Sequence, residues 1–161
     1  MAGYAANTSV GIDKTRAEIE NALRKYGAGK FSSGWDEDAG IAFVAFHCRD
    51  RVVRFTVPLP KPTEQKFTHT ARGKRRVASQ AAEEYEQAKR SVWRRLLLVI
   101  RAKLESVESG IESFEDSFLA QIVTPTGETM GTWAKRELAL AYNSGEMPNT
   151  LRALPPHQGE K

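Results

Sequence analysis

The sequence predicts an α+β fold: an antiparallel meander of about three strands, covered by one long helix and flanked by short helices. Three observations predict it. Residues 79–110 (SQAAEEYEQAKRSVWRRLLLVIRAKLESVESG) hold no proline, and no glycine before Gly110. They carry an apolar arc at helical spacing. Ahead of them, three apolar or alternating runs of strand length are joined by two short turn-like clusters, the pattern of a meander. The chain has 161 residues and is 40% hydrophobic, enough for one domain with a core of its own.

The long helix is framed by Ser79 as a candidate N-cap and Gly110 as a stop. A serine hydroxyl accepts from a first-turn N–H, and glycine enters the left-handed conformation that closes a helix. At 1.5 Å per residue the rod is roughly 45 Å long. Ala82, Tyr85, Ala88, Val92, Trp93, Leu96, Val99, Ile100, Leu104 and Val107 share the apolar arc. An arc that wide predicts packing against a sheet rather than a coiled-coil seam. Leu98 falls on the polar side, the sign of a second contact. Arg90, Arg94 and Arg101, with Arg95 at one edge, make the opposite face basic in its middle. That face reads either as a solvated surface with i,i+4 pairs to glutamates or as a phosphate-binding stripe.

In chain order, residues 1–12 form an arm expected to be flexible, with Tyr4 and Val10 as its anchors. Asp13 is placed to cap a helix over 14–26, whose Ala17, Ile19, Ala22, Leu23 and Tyr26 lie largely on one face. Gly27 and Gly29 end it. The segments 30–35, 41–48 and 52–60 read as strands, separated by turns at 36–40 and 49–51. Phe31, Ser33 and Trp35 share one side of the first. Val53, Phe55, Val57 and Leu59 share one side of the third, opposite Arg54 and Thr56. Pro58 and Pro60 end that strand or place it at an edge. After Gly110, Ser113 caps a short helix over 114–123. A turn follows at 124–129, and a last helix runs from about 130 to 142 with Gly145 beyond it. Phe118, Ile122 and Trp133 are expected to close the core, which makes 13–148 one domain and 149–161 a tail.

Charge is concentrated in the loop 58–78. Between Lys61 and Arg76 stand six basic residues (Lys61, Lys66, Arg72, Lys74, Arg75, Arg76) and one acid, Glu64. This stretch sums to +5 in a chain of net charge +4, so the remainder sums to −1. A loop this long in a small domain is either functional or a mobile linker. Phe67 and His69 interleave flat rings with the cations, as in single-strand binders whose bases stack on aromatic side chains. The expected nucleic-acid-binding residues are therefore Lys61, Lys66, Phe67, Arg72, Lys74, Arg75 and Arg76 of the loop, extended by Arg90, Arg94 and Arg101 of the helix.

Other chemistry finds little support. His47 and Cys48 are adjacent but no second pair stands at ligand spacing. Asp36, Glu37 and Asp38 precede Gly40 as ordinary turn residues. Asp50 with Glu64 and Lys66 imitates a nuclease spacing, but its Glu-x-Lys falls in a proline-rich polar loop rather than on an apolar strand. Residues 72–76 (RGKRR) lack the spacing of a phosphate loop. No serine or cysteine has a visible base partner. The reading is a protein without catalytic residues, metal or cofactor. The lone cysteine, Cys48, points to a reducing, intracellular setting. The absence of a long apolar run argues against a membrane partner, and the first residues lack a secretory profile.

The stretches RKYGAGKFSSGWDEDAGIAFVAF, RVVRFTVPLP, FTHTARGKRR, EEYEQAKRSVWRRLLLVIRAKLESVESGIESFEDSFLAQIV and GETMGTW resemble a family of short uncharacterised bacteriophage and prophage proteins. The resemblance spans about residues 5–148 and implies expression in the cytoplasm of a host bacterium, with no activity to carry over. A weaker, topological likeness is to phage single-strand annealing proteins, which implies single-stranded DNA as partner and assembly of several copies. It rests on element order alone and transfers no residue. The leading expectation is a non-enzymatic nucleic-acid binder. The alternative is a small phage protein that binds and inhibits a host protein complex.

Overall fold

The computed structural model describes residues 5–147; the expectations for Tyr4 and for the tail from 149 onward lie outside them. The chain forms helix α1 (Ile12–Tyr26), strands β1 (Lys30–Asp36), β2 (Ile41–Cys48) and β3 (Arg51–Pro58), and a single helical turn α2 (Gln65–Thr68). Helices α3 (Ala78–Glu108), α4 (Phe114–Phe118) and α5 (Met130–Ser144) follow. A 3-10 turn, Leu119–Gln121, continues α4. The fold is α+β, as predicted. No helix among the described residues is long and apolar enough to cross a membrane.

The three strands form one antiparallel sheet in the order β1-β2-β3. Their register puts Phe31, Ser33 and Trp35 opposite Phe46, Val44 and Ala42, which in turn oppose Val53, Phe55 and Val57. Opposed residues share a face, so this row is the inner face, and its centre is buried. The β2–β3 turn consists of Arg49 and Asp50, both at positive φ (49° and 59°). Two such residues give the primed turn whose twist matches a two-residue hairpin. On the outer face Phe43 lies across β1 at Gly34, where any Cβ would meet its ring at 2.8 Å.

α1 and α3 cover the inner face. From α3 come Trp93, Leu96, Leu97, Ile100 and Leu104; from α1 come Ile19 and Leu23, all buried. The stop at Gly110 is as read from the sequence: Gly110 sits at φ 75°, its N–H donates to Val107 O, and Ile111 N donates to Ser106 O, which is a Schellman closure. The start differs. α3 begins at Ala78 with Val77 at the cap position and no capping side chain, so Ser79 lies within the helix. The buried arc is also rotated from the expected one. Leu97 is buried while Val99 is exposed, because α1 packs along one flank of α3 and claims the side on which Leu97 lies. α1 itself starts one residue beyond its cap Gly11, leaving Asp13 in the first turn rather than at the cap. Ala17 is exposed, and buried Thr15 takes a place in the interface.

Phe118 closes the core. Its ring meets Phe46 and Phe55 edge-on at 6.0 and 6.2 Å and Phe114 at 4.9 Å. Ser113 caps α4 by accepting from Asp116 N. Ile122 pairs with Val53 across the free edge of β3 and joins the core, but Trp133 stays half-buried outside it. α5 buries no residue. Phe118→Ala should therefore destabilise the fold by about 3–5 kcal/mol, and Leu138→Ala on α5 by under about 0.5 kcal/mol, as measured by urea denaturation.

Candidate nucleic-acid interface

The loop 58–78 is a built finger rather than a featureless connection. Leu59 N donates to Gly40 O at 2.8 Å, continuing β3 toward the β1–β2 turn. Glu64 then organises the ascent. One carboxylate oxygen accepts from Lys61 N at 2.5 Å and the other pairs with Lys66 Nζ at 2.7 Å. These contacts, Lys66 foremost, hold the Glu64 carboxyl below its usual range. α2 follows, and Phe67 turns inward from it. Beyond α2 the chain makes a tight hairpin: Thr70 N donates to Lys74 O, Gly73 N to Thr70 O and Arg76 N to Thr68 O, each at 2.8 Å. Gly73 takes φ 79°. A three-residue loop ending in a left-handed glycine is a common hairpin closure.

Arg76 is the peg of this hairpin. Its guanidinium donates to the carbonyl oxygens of Lys66 (2.9 Å), Phe67 (3.3 Å) and His69, and it reaches Glu84 of α3 at 3.4 Å. Carbonyls at the end of a helical turn lack internal partners, and a guanidinium satisfies several at once.

The expected site residues separate into two groups. Arg72, Lys74 and Arg75 are exposed at the hairpin and Lys61 at its foot. Among the described residues none of these four side chains forms a close ion pair, although Lys61 lies in the field of Glu64. The others are engaged. Phe67 is 4% exposed and packs edge-on against Tyr85 at 5.8 Å, so its ring is a root for the finger and is not offered to a base. Lys66 is paired to Glu64, and Arg76 is consumed by the hairpin.

The stripe expected on the long helix is not an open phosphate track. Arg94 and Arg101 converge on Glu18 of α1, at 2.9 and 3.4 Å. The Arg94 contact is an ion pair without hydrogen-bond alignment, since Nη1 has no directed partner. Arg90 donates twice to Gln87 Oε1, at 3.1 and 2.6 Å, and Gln87 in turn holds Ala6 O of the N-terminal arm at 3.0 Å. The physical reason is the second helix. α1 lies along this flank of α3, so arginines that look solvated on a helical wheel stand beside a neighbouring carboxylate.

Sequence reasoning passed over a second feature beside the finger. Arg16 of α1 has its guanidinium 5.8 Å from the Trp35 ring and 5.9 Å from the Trp93 ring, and donates to Ser33 Oγ and O. Trp35 is 56% exposed. A tryptophan ending a strand just before an acidic turn is the only sequence signal for it. Among the described residues no group of three or more His, Cys, Asp or Glu side chains comes together to hold a metal ion. Cys48 is buried, and burial pushes its thiol up. Neither a protein-family model, nor a curated protein, nor a solved structure matches the chain.

Removing the peg should loosen the tip. Arg76→Ala should speed trypsin cleavage at residues 72–75 several-fold in limited digestion, with the melting transition of the core little changed, whereas Arg75→Ala should not.

Proposed function

We propose that the chain is a non-enzymatic nucleic-acid-binding protein that grips a phosphate backbone through the tip and foot of the finger. The observation that carries this reading is the set of four exposed cations, Lys61, Arg72, Lys74 and Arg75, on a segment held by the Arg76 peg and rooted by Phe67. A pre-formed cationic tip loses less entropy on binding than a mobile loop. Phosphate neutralisation releases counterions and gives affinity without sequence preference. The reading is narrower than the sequence expectation, since Lys66, Arg76, Arg90, Arg94 and Arg101 serve the fold. The setting in a phage-infected or prophage-bearing bacterium is part of the proposal and rests on the resemblance of the stretches quoted above. Single-stranded DNA is the favoured form.

A second reading is favoured by α5. Leu138, Leu140 and Tyr142 are 47%, 58% and 86% exposed on a helix that buries no residue. Exposed apolar side chains grouped on one element are a feature of protein-binding surfaces. A host protein complex is the corresponding partner. It is favoured if the purified chain carries one stoichiometric host protein and no nucleic acid, and if Leu138→Asp releases that protein.

The first reading predicts a salt response. Binding of a fluorescent single-stranded oligonucleotide should weaken linearly in log–log form as salt rises. The triple substitution R72A/K74A/R75A should flatten the slope by about 2, at roughly 0.7 per phosphate for a single strand. A flat salt response for the unaltered chain overturns the reading.

A further inference from the structure

We infer that the cleft beside the finger is a stacking site for one unpaired, amino-bearing base of the bound strand. This inference rests on the nucleic-acid reading and deepens it. The cleft measures about 470 Å³ and lies between the start of α1, the β1–β2 turn, the segment 59–63 and α3. A volume of that order accommodates a nucleoside.

The walls are aromatic and apolar. Trp35, Tyr85 and Trp93 line the cleft together with Leu59 and Pro60. Trp93 is 2% exposed and forms its floor, while Trp35 is 56% exposed and forms a wall. The Trp35 indole is held in place from behind. Arg16 lies against it and against Trp93, and is itself fixed by two hydrogen bonds to Ser33 and by Asp13 at 3.6 Å. A large exposed ring braced by a guanidinium is a rigid platform, and rigid platforms lose little entropy when a base stacks on them.

The rim decides what kind of group enters. Asp13, Glu37 and Asp38 stand on one part of it, Lys61 and Lys89 on another. Lys89 is already matched, with Glu86 at 2.6 Å and the Tyr85 ring at 4.7 Å. Asp13 is likewise matched, by Arg16, so Glu37 and Asp38 against Lys61 leave the rim slightly acidic, which suits a neutral plane. Carboxylates accept hydrogen bonds from the amino group of cytosine or adenine, whereas thymine presents a carbonyl oxygen at the corresponding edge. Lys61, exposed and in the field of Glu64, is the cation at the mouth, where the phosphate attached to a seated base would lie.

Cleft and finger are continuous. Tyr85 lines the cleft and also receives the edge of Phe67, the root of the finger. Residues 61–63 line the cleft and lead directly into the ascent that Glu64 organises. A strand held at the foot of the finger, where Lys61 itself lines the cleft, therefore places an unstacked base beside the Trp35 wall. A paired base is already stacked and bonded, so a duplex would have to surrender a pair to use the site.

The test uses the full chain with dC12, dA12 and dT12, and with free cytidine, read by tryptophan fluorescence and by anisotropy. Expected are quenching by dC12 and dA12, several-fold weaker binding of dT12, and quenching by millimolar cytidine with no salt dependence. Trp35→Ala should weaken dC12 about tenfold with an unchanged salt slope, and Trp35→Phe should restore most of the loss. Glu37→Gln with Asp38→Asn should narrow the difference between dC12 and dT12. If dC12 binds with a steep salt slope but Trp35→Ala binds equally well, the cleft inference is overturned and the finger reading stands. If no oligonucleotide binds while cytidine still quenches the wild-type chain and not Trp35→Ala, the finger reading is overturned and the cleft stands as a nucleoside site. Absence of cytidine quenching together with equal binding of dC12 and dT12 overturns the inference outright.

Discussion

The structure depends on one apolar seam, the contact between the inner face of the sheet and the stripe Trp93–Leu96–Leu97–Ile100–Leu104 of α3. A three-stranded meander has two faces and cannot stand alone in water. Here one face is covered and the other stays partly exposed. Each large buried side chain in the seam contributes on the order of 1.5–3 kcal/mol. Phe114 and Phe118 seal its far end, and α1 closes its side. The finger, the cleft and α5 all hang from elements that this seam orients.

The seam also sets where the arginines go. Two helices lying side by side on one sheet bring their flanks together, and the flank of α3 carries Arg94 and Arg101. Glu18 of α1 stands between them. Half-exposed ion pairs of this kind contribute little net stability, on the order of 0–1 kcal/mol. Their effect is on charge rather than on stability: one carboxylate is shared by two arginines, which offsets part of the positive charge on this flank. Arg76 is spent in a comparable way, on backbone carbonyls. The number of basic residues alone therefore overstates how many cations a ligand meets.

Finger and cleft adjoin at residues 61–63 and differ in their electrostatics. The tip is cationic and hydrated, suited to phosphate. The cleft is aromatic, proline-lined and acid-rimmed, suited to a flat neutral group. Both are braced in the same way: an arginine engaged in internal contacts supports each of them, Arg76 under the hairpin and Arg16 against Trp35.

Much of the architecture was legible in the chain itself, because it rests on local rules. Strand length and alternation, the glycine stop at Gly110, the Ser113 cap and the concentration of charge between Lys61 and Arg76 follow from nearest neighbours and periodicity. The order inside the finger was not legible. A proline-rich polar loop has no repeat, and only the root of Phe67 on Tyr85 and the reach of Arg76 to three carbonyls give it shape. The stacking expected of Phe67 and the phosphate track expected of the helix arginines met the same obstacle. A helical wheel or a composition count assumes that a polar face meets water, and tertiary packing put a second helix and a second aromatic ring there instead. Local pattern was enough for the three strands, the long helix and the place where charge gathers; which charges stay open to a ligand, and that Trp35 borders a cleft, follow from contacts between residues far apart in the chain and so emerged with the packed fold.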